Sequence, residues 1–243
     1  MAKKTIEIVL PIYNEEEELE TNTKKLHDFL NKNLKNYLWK IIIADNASTD
    51  MSLAKAKKIT MTLKNVDLVH LREKGRGRAV KKVWSESKAQ IVSYMDIDLS
   101  TDLKNFQPLL TSLDSGYDIA IGSRLLPSSH VSKRPLKREV LSRGYNILIK
   151  TLFGVHFSDA QCGFKAVKTS VAQKLIPQIK DNSWFFDSEL LIIGEKIGYK
   201  IFQQPVNWID NPGSTVRVLK TVYGDLKGLW RLFWTRPWKS ISK

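Results

Sequence analysis

The chain has 243 residues, 42% hydrophobic and 26% charged, which excludes a disordered chain and leaves ample length to bury a core. Cys162 is the one cysteine, so an intramolecular disulfide and a cysteine-based zinc cluster are excluded, and the four histidines (His27, His70, His130, His156) have no metal-ligand spacing. Its 39 Lys+Arg against 25 Asp+Glu give a formal net charge of +14, which points to an anionic partner.

Met1-Ala-Lys-Lys leads straight into a strand-like run, with no room for a signal peptide, and no apolar run is long enough to span a bilayer. A soluble or peripheral protein of a reducing compartment is expected. Short apolar runs at Thr5–Leu10, Lys40–Ala44, Val66–His70, Ile91–Met95 and Asp118–Ile121 predict strands. Helical patterns lie between them, near Glu16–Leu34, Ser52–Leu63, Gly77–Ser87 and Leu103–Leu113. This alternation predicts an α/β fold with a Rossmann-like, mainly parallel sheet flanked by helices. After Gly122 a basic stretch, Pro127–Pro135, leads into a predicted helix, Glu139–Phe153, and a loop carrying Asp159–Gly163. A helix around Asp187–Lys196, a strand around Lys200–Trp208 and a terminal amphipathic helix complete the expected order. The predicted division is 1–122 and 123–217 as two halves of one domain, with 218–243 as a surface helix.

The charge is focused. Residues 131–150 hold Lys133, Arg134, Lys137, Arg138, Arg143 and Lys150 against Glu139 alone. Residues 213–243 hold Arg217, Lys220, Lys227, Arg231, Arg236, Lys239 and Lys243 against Asp225. In the terminal segment, Leu219, Val222, Tyr223, Leu226, Leu229, Trp230 and Phe233 share one helical face. Trp230, Trp234 and Trp238 interleave with Arg231, Arg236 and Lys239, the composition of an anchor on an anionic membrane surface. Docking on the protein's own core is the weaker expectation, although Gly224 and Gly228 would allow it.

In an open parallel sheet, ligands bind beyond the carboxyl ends of the strands. Three predicted strands end there in acidic segments: Pro11-Ile-Tyr-Asn-Glu15, Asp45-Asn-Ala-Ser-Thr-Asp50 and Asp96-Ile-Asp98-Leu-Ser100. Carboxylates so gathered repel unless a cation joins them, and a divalent metal with phosphates does so. Asp96 and Asp98 lie two apart after a strand, so both can face one ion. Gly75-Arg-Gly77-Arg has no glycine at position 80, which excludes the dinucleotide fingerprint, and neither a P-loop nor a Gly-x-Ser-x-Gly elbow is present.

Pro11-x-Tyr-Asn-Glu15, Asp45-Asn-x-Ser-Thr-Asp50, Gly75-x-Gly77-x-Ala79 and Asp96-x-Asp98 resemble the signature of inverting family 2 glycosyltransferases with the GT-A fold. Gly122-Ser-Arg124, Arg138-x-x-x-Ser142, Asp159-Ala-Gln-Cys-Gly-Phe-Lys165, Phe186-Asp-Ser-Glu-Leu190 and Asn207-Trp208 with Gly213-Ser-Thr-Val-Arg217 narrow the resemblance to the polyprenyl-phosphate glycosyltransferases. Within these it is nearest to the dolichyl-phosphate glucosyltransferase type, and next to the dolichyl-phosphate mannose synthases. Ser100 stands where mannose synthases often carry Gln, and the Gln-x-x-Arg-Trp motif of processive synthases is absent.

The resemblance implies that Pro11, Tyr13, Asn14, Glu15, Asp45, Asn46, Lys74, Gly75, Arg76 and Asp96 bind the nucleotide sugar, UDP-glucose before GDP-mannose. It implies Mg²⁺ or Mn²⁺ on Asp96 and Asp98, and an acceptor phosphate gripped by Arg124, Arg138, Ser142 and Arg217. Asp159 is the candidate for orienting the acceptor or taking a residual proton. Asp187 and Glu189 fit the start of a helix, a role preferred to contact with sugar hydroxyls. The implied place is the cytoplasmic face of a membrane, peripherally held. A nucleic-acid partner would leave the three acidic strand ends unexplained and is set aside.

Overall fold

The computed structural model describes residues 3–210 and 218–241, without the side chains of residues 218–220. The first half alternates β1 (Lys4–Ile12), α1 (Leu19–Asn33), β2 (Tyr37–Asn46), α2 (Ser52–Thr62), β3 (Val66–Leu71), α3 (Arg76–Glu86), β4 (Ile91–Met95), α4 (Phe106–Asp114) and β5 (Ile119–Ser123). Then follow β6 (His130–Ser132), α5 (Leu136–Phe153), β7 (Phe164–Lys168), α6 (Thr169–Leu175), α7 (Phe186–Ile197), β8 (Ile201–Pro205), β9 (Asn207–Ile209) and α8 (Val218–Thr235). Seven strands form one sheet in the order β3-β2-β1-β4-β7-β5-β8, and β6 pairs with β9 beside it.

Every pairing in the large sheet is parallel except those of β7, which runs antiparallel between β4 and β5. Both sheet faces are covered, which is why the strands read as continuous apolar runs. Ile6, Ile8, Leu10 and Ile12 of β1 face α1, α2 and α4, whereas Val9 joins the opposite cluster with α3, α6 and α7. The sequence expectations of five strands and four helices in the first half are realised, with strand ends mostly extended and helix ends shifted or trimmed by one to three residues. The second half holds three elements that the sequence did not announce, β6, β7 and α6, and the expected strand Lys200–Trp208 breaks at Val206 into β8 and β9. The break sends β9 into the small sheet, and Thr101 bridges to Trp208, tying that sheet to the loop after β4.

Candidate active site

Register places the chemistry. Ile12 of β1 pairs with Asp45 of β2, and Asp45 with His70 of β3, so three strand ends open at one level. Pro11 is a buried β1 residue one step before that edge. Asp45 is fully buried, its Oδ2 lies 2.6 Å from His70 Nδ1, and its Oδ1 accepts from Ser48 N–H at 3.3 Å. Tyr13 lies beside it, with Lys74 Nζ 3.3 Å above the ring centroid.

Two predicted nucleotide-binding residues spend their side chains on the protein. Asn46 donates to the carbonyl of Ile12 at 2.6 Å and accepts from Gly75 N–H at 2.9 Å, pinning the glycine turn to β1. Asn14 exchanges hydrogen bonds with Thr49 and donates its N–H to Ser48, clipping together the loops after β1 and β2.

Asp96 is held from two sides. Arg76 Nε and Nη2 both donate to its Oδ1, at 3.1 and 2.7 Å. A Cβ at Gly163 would sit 1.8 Å from its Oδ2, so that glycine is the seat of the carboxylate. Arg76 also donates to Asp187, which pairs with Lys165 at 2.9 Å and accepts from Tyr94. Two cations and two carboxylates balance in this network, which is buried except at Asp96. Burial would raise the Asp187 carboxyl, but Lys165 and Arg76 hold it below the usual range. Asp187 thus anchors Arg76 and does not merely start a helix.

Asp98 accepts from Ser100 N–H at 3.0 Å, and burial with the charge of Asp96 raises its carboxyl. Glu15 is pushed up to about 7 by burial and by Glu18, Asp98, Asp96 and Asp50. Such crowding is relieved by a cation, and free carboxylate oxygens are the donors that Mg²⁺ and Mn²⁺ prefer. Among the described residues no group of three or more His, Cys, Asp or Glu could hold a metal by itself. Two carboxylates completed by substrate phosphates nevertheless fit these ions, which are seldom caged by protein alone.

The cleft lined by Asp96, Asp98, Ser100, Gly163 and Trp208 leads to the arginines. Arg124 lies 5.4 Å from the centroid of the Trp208 ring and gives Nε and Nη2 to the two oxygens of Asp159, at 2.8 and 2.9 Å. Asp159 also accepts from the backbone of Arg124 and Gln161 and is fully buried. Burial would raise its pKa, but Arg124 holds it at about 2. Bonded on both oxygens, Asp159 holds the Arg124 guanidinium in place. Arg138 makes a similar pair, giving Nη1 to both oxygens of Asp210 at 2.9 and 3.1 Å. Ser142, one helical turn on, is buried and its Oγ has no partner among the described residues. Arg217 lies outside the described residues.

Sequence reasoning missed Arg134 and His70 as residues of this region, whereas Trp208 stood in a motif that carried the family resemblance. Each is brought in by strand pairing or by a neighbour distant in sequence. Arg134 gave one signal, its place in the basic run.

The terminal helix does two things at once. Gly228 packs on the Phe185 ring, and Leu229 and Leu232 are buried, whereas Tyr223, Trp230 and Trp234 are 73%, 66% and 65% exposed. The expected single apolar stripe is therefore divided between a docked side and a free side. α5 adds Leu136, Val140 and Ile147 to the exposed apolar surface. Among the described residues no helix is long and apolar enough to cross a membrane.

The sequence profile of glycosyl transferase family 2 matches residues 7–176. The chain belongs to that family. Glycosyltransferase AglD of Haloferax volcanii is 29% identical over 94% of this chain, which spans 37% of that relative's length. The dolichyl-phosphate beta-glucosyltransferase of Dictyostelium discoideum is 28% identical over 93% of this chain and 76% of its own. That of Mus musculus is 28% identical over 87% of this chain and 69% of its own. Among solved structures, glucosyl-3-phosphoglycerate synthase from Mycobacterium tuberculosis, in complex with Mn²⁺, UDP-glucose and phosphoglyceric acid, superposes with a TM-score of 0.69. The match covers 95% of this chain and 79% of that one at 17% identity, and it shows that this family 2 chain has the GT-A-like fold.

Proposed function

We propose that this family 2 glycosyltransferase moves glucose from UDP-glucose onto a membrane polyprenyl phosphate, with inversion at the anomeric carbon. The observation that carries the reading is the adjacency of an acidic, nucleotide-facing edge, an arginine-rich pocket and an exposed apolar surface. Relatives named dolichyl-phosphate beta-glucosyltransferase support the sugar and the acceptor.

Asp45 accepts from N–H or O–H groups of the nucleoside beside Tyr13, while Glu15 and Lys74 border the same pocket. Asp96 and Asp98 would hold Mg²⁺ or Mn²⁺, which when bound neutralises charge on the leaving diphosphate. Arg124, Arg138 and Ser142, with Arg217 from the adjoining segment, bind the acceptor phosphate; Arg124 is kept in place by Asp159. A phosphate monoester loses its second proton near pH 6, so it attacks without a strong base. Its oxygen forms the bond to the anomeric carbon, and the bond from that carbon to the diphosphate breaks, with the electron pair leaving on UDP. Catalysis then rests on positioning and on preorganised charge. Trp230, Trp234 and the apolar side chains of α5 rest on the bilayer, at the cytoplasmic face where the donor is met.

The test supplies labelled UDP-glucose or GDP-mannose with polyprenyl phosphate and Mg²⁺ or Mn²⁺. Label in organic-extractable lipid from UDP-glucose, lost in Asp98→Ala, is the expected result. Label from GDP-mannose alone would reassign the sugar. Transfer only to water-soluble acceptors would overturn the lipid.

A further inference from the structure

Arg134 lies two residues beyond β6, with 8% of its side chain exposed. Its Nη1 donates to Glu139 Oε2 at 2.9 Å, but its Nε is buried and has no hydrogen-bond partner among the described residues. A buried donor without an acceptor costs free energy, and more so when it carries charge. Glu139 cannot offset the charge alone, because its Oε1 accepts from Arg143 Nε at 2.6 Å. One carboxylate thus serves two guanidiniums.

The second observation is the ring that Arg134 shares. Its guanidinium carbon lies 5.7 Å from the Trp208 centroid, and that of Arg124 lies 5.4 Å from the same centroid. Burial and the charge of Arg124 pull the Arg134 pKa below its ordinary value, although Glu139, Asp159 and Asp210 oppose the shift. Asp159 and Asp210 are already committed to Arg124 and Arg138. What satisfies a buried Nε–H and an excess of positive charge together is an anion with several oxygens. A phosphate monoester matches, since guanidinium and phosphate bond through paired N–H and oxygen atoms. Trp208 also lines the cleft that holds Asp96 and Asp98, so a phosphate here would lie on the acceptor side of the reacting centre.

We propose that Arg134 is a further phosphate-binding residue of the acceptor pocket, presenting its Nε–H beside Trp208 to an oxygen of a phosphate monoester. The assignment rests on the polyprenyl-phosphate reading for the source of that phosphate, and on the buried Nε for the residue. It differs from the roles of Arg124 and Arg138, which each have a buried aspartate of their own.

The full chain is titrated calorimetrically with farnesyl phosphate, with inorganic phosphate and, as control, with UDP and Mg²⁺. R134Q is expected to weaken phosphate binding about tenfold, the loss of one charge-assisted hydrogen bond, and to leave UDP affinity unchanged. In the transfer assay the KM for polyprenyl phosphate rises by about the same factor, with the KM for the sugar nucleotide unmoved. R134K keeps the charge without the fork and falls between the two. A loss with farnesyl phosphate alone assigns the site to lipid-borne phosphate, and a loss with both ligands assigns it to the phosphate group itself. Wild-type affinity of R134Q for both ligands overturns the proposal. E139Q separates binding from a purely structural staple between β6 and α5: it keeps phosphate affinity on this assignment. If instead it copies R134Q, the staple suffices and the proposal fails. A wild-type protein that binds phosphate through Arg134 yet transfers no sugar to lipid would sink the functional reading and leave this residue's role standing.

Discussion

Asp96 is fixed by one arginine and one missing methyl group, which makes Gly163 a sharp test of the site. An alanine there places Cβ 1.8 Å from Asp96 Oδ2, so the carboxylate must swing away. The Asp96 side chain is 42% exposed and has somewhere to go, so the cost falls on geometry more than on stability. Gly163→Ala is expected to fold and to lose about 100-fold or more in turnover, as a misplaced contact to the reacting groups does; steady-state kinetics beside thermal melting would check both parts. Arg124 makes the opposite case. Truncating it to alanine leaves Asp159 buried, ionised and unpaired, which costs about 3–5 kcal/mol. Denaturant unfolding should show that loss, and the double variant Arg124→Ala with Asp159→Ala should recover part of it, because the orphaned charge is gone. Equal stability of the single and double variants would show that the pair is not the source of the cost.

At the scale of elements, α8 is latched to the body by polar contacts as well as by Gly228. Gln161 donates to Asp225 Oδ2 at 2.7 Å, and Arg231 Nη2 lies 2.7 Å from Glu189. Glu189 in turn accepts from Asp181 N–H, so α8 braces the segment whose Asn182 and Ser183 carbonyls receive Arg78 N–H and Gly77 N–H. Asp225 is pushed up to about 7, chiefly by burial and further by Asp181 and Asp187, against the bond from Gln161. Its folded pKa exceeds its ordinary value of 3.8, so its contribution is whole below about pH 4 and is lost as pH rises through 7. Hydrogen exchange of α8 amides should therefore quicken between pH 5 and 8 by more than the intrinsic rate, and Asp225→Asn should abolish the excess. An excess that survives in the Asn variant would place the titration elsewhere.

These latches also explain what was legible in the sequence. The first half could be read because its central parallel strands β1, β2 and β4 are apolar runs that lead into Asp or Asn, and each helix keeps its stripe. β7 could not, because Phe164-Lys-Ala-Val-Lys168 carries a lysine that is fully buried through Asp187, a partner over twenty residues away in the chain. The acidic pair announced itself by type and spacing, and the arginines were expected from the family resemblance. Their restraints gave no such signal, since Gly163 under Asp96 and Asp159 on Arg124 exist only once the second half folds over the sheet edge. The division of the α8 stripe had the same cause: periodicity reveals an apolar face and not how much of it meets protein.

For the whole molecule, α5 gives residues both to the proposed acceptor pocket and to the exposed apolar surface, and it lies against α8. Arg138 and Ser142 belong to α5, whose outer side chains Leu136, Val140 and Ile147 are 77%, 61% and 63% exposed. Trp230 and Trp234 stack edge to face at 5.6 Å on the free side of α8, with Lys227, Arg236 and Lys239 around them. An apolar surface rimmed by cations matches an anionic bilayer, where buried rings give area and the cations give attraction screened by salt. Deleting residues 219–243 should release the chain from anionic liposomes, but it would also uncover Phe185 and break both latches. Trp230→Ala with Trp234→Ala is the cleaner variant, because neither ring is part of the docked side. We expect it to keep the melting temperature within about 2 °C, the change allowed for surface positions, and to sediment with vesicles of anionic lipid several-fold less than the parent chain. The residual binding should fall with added salt, since the cations remain. Unchanged co-sedimentation of the double variant at physiological salt would remove α8 from the membrane surface and leave α5 and its arginines to meet the lipid alone.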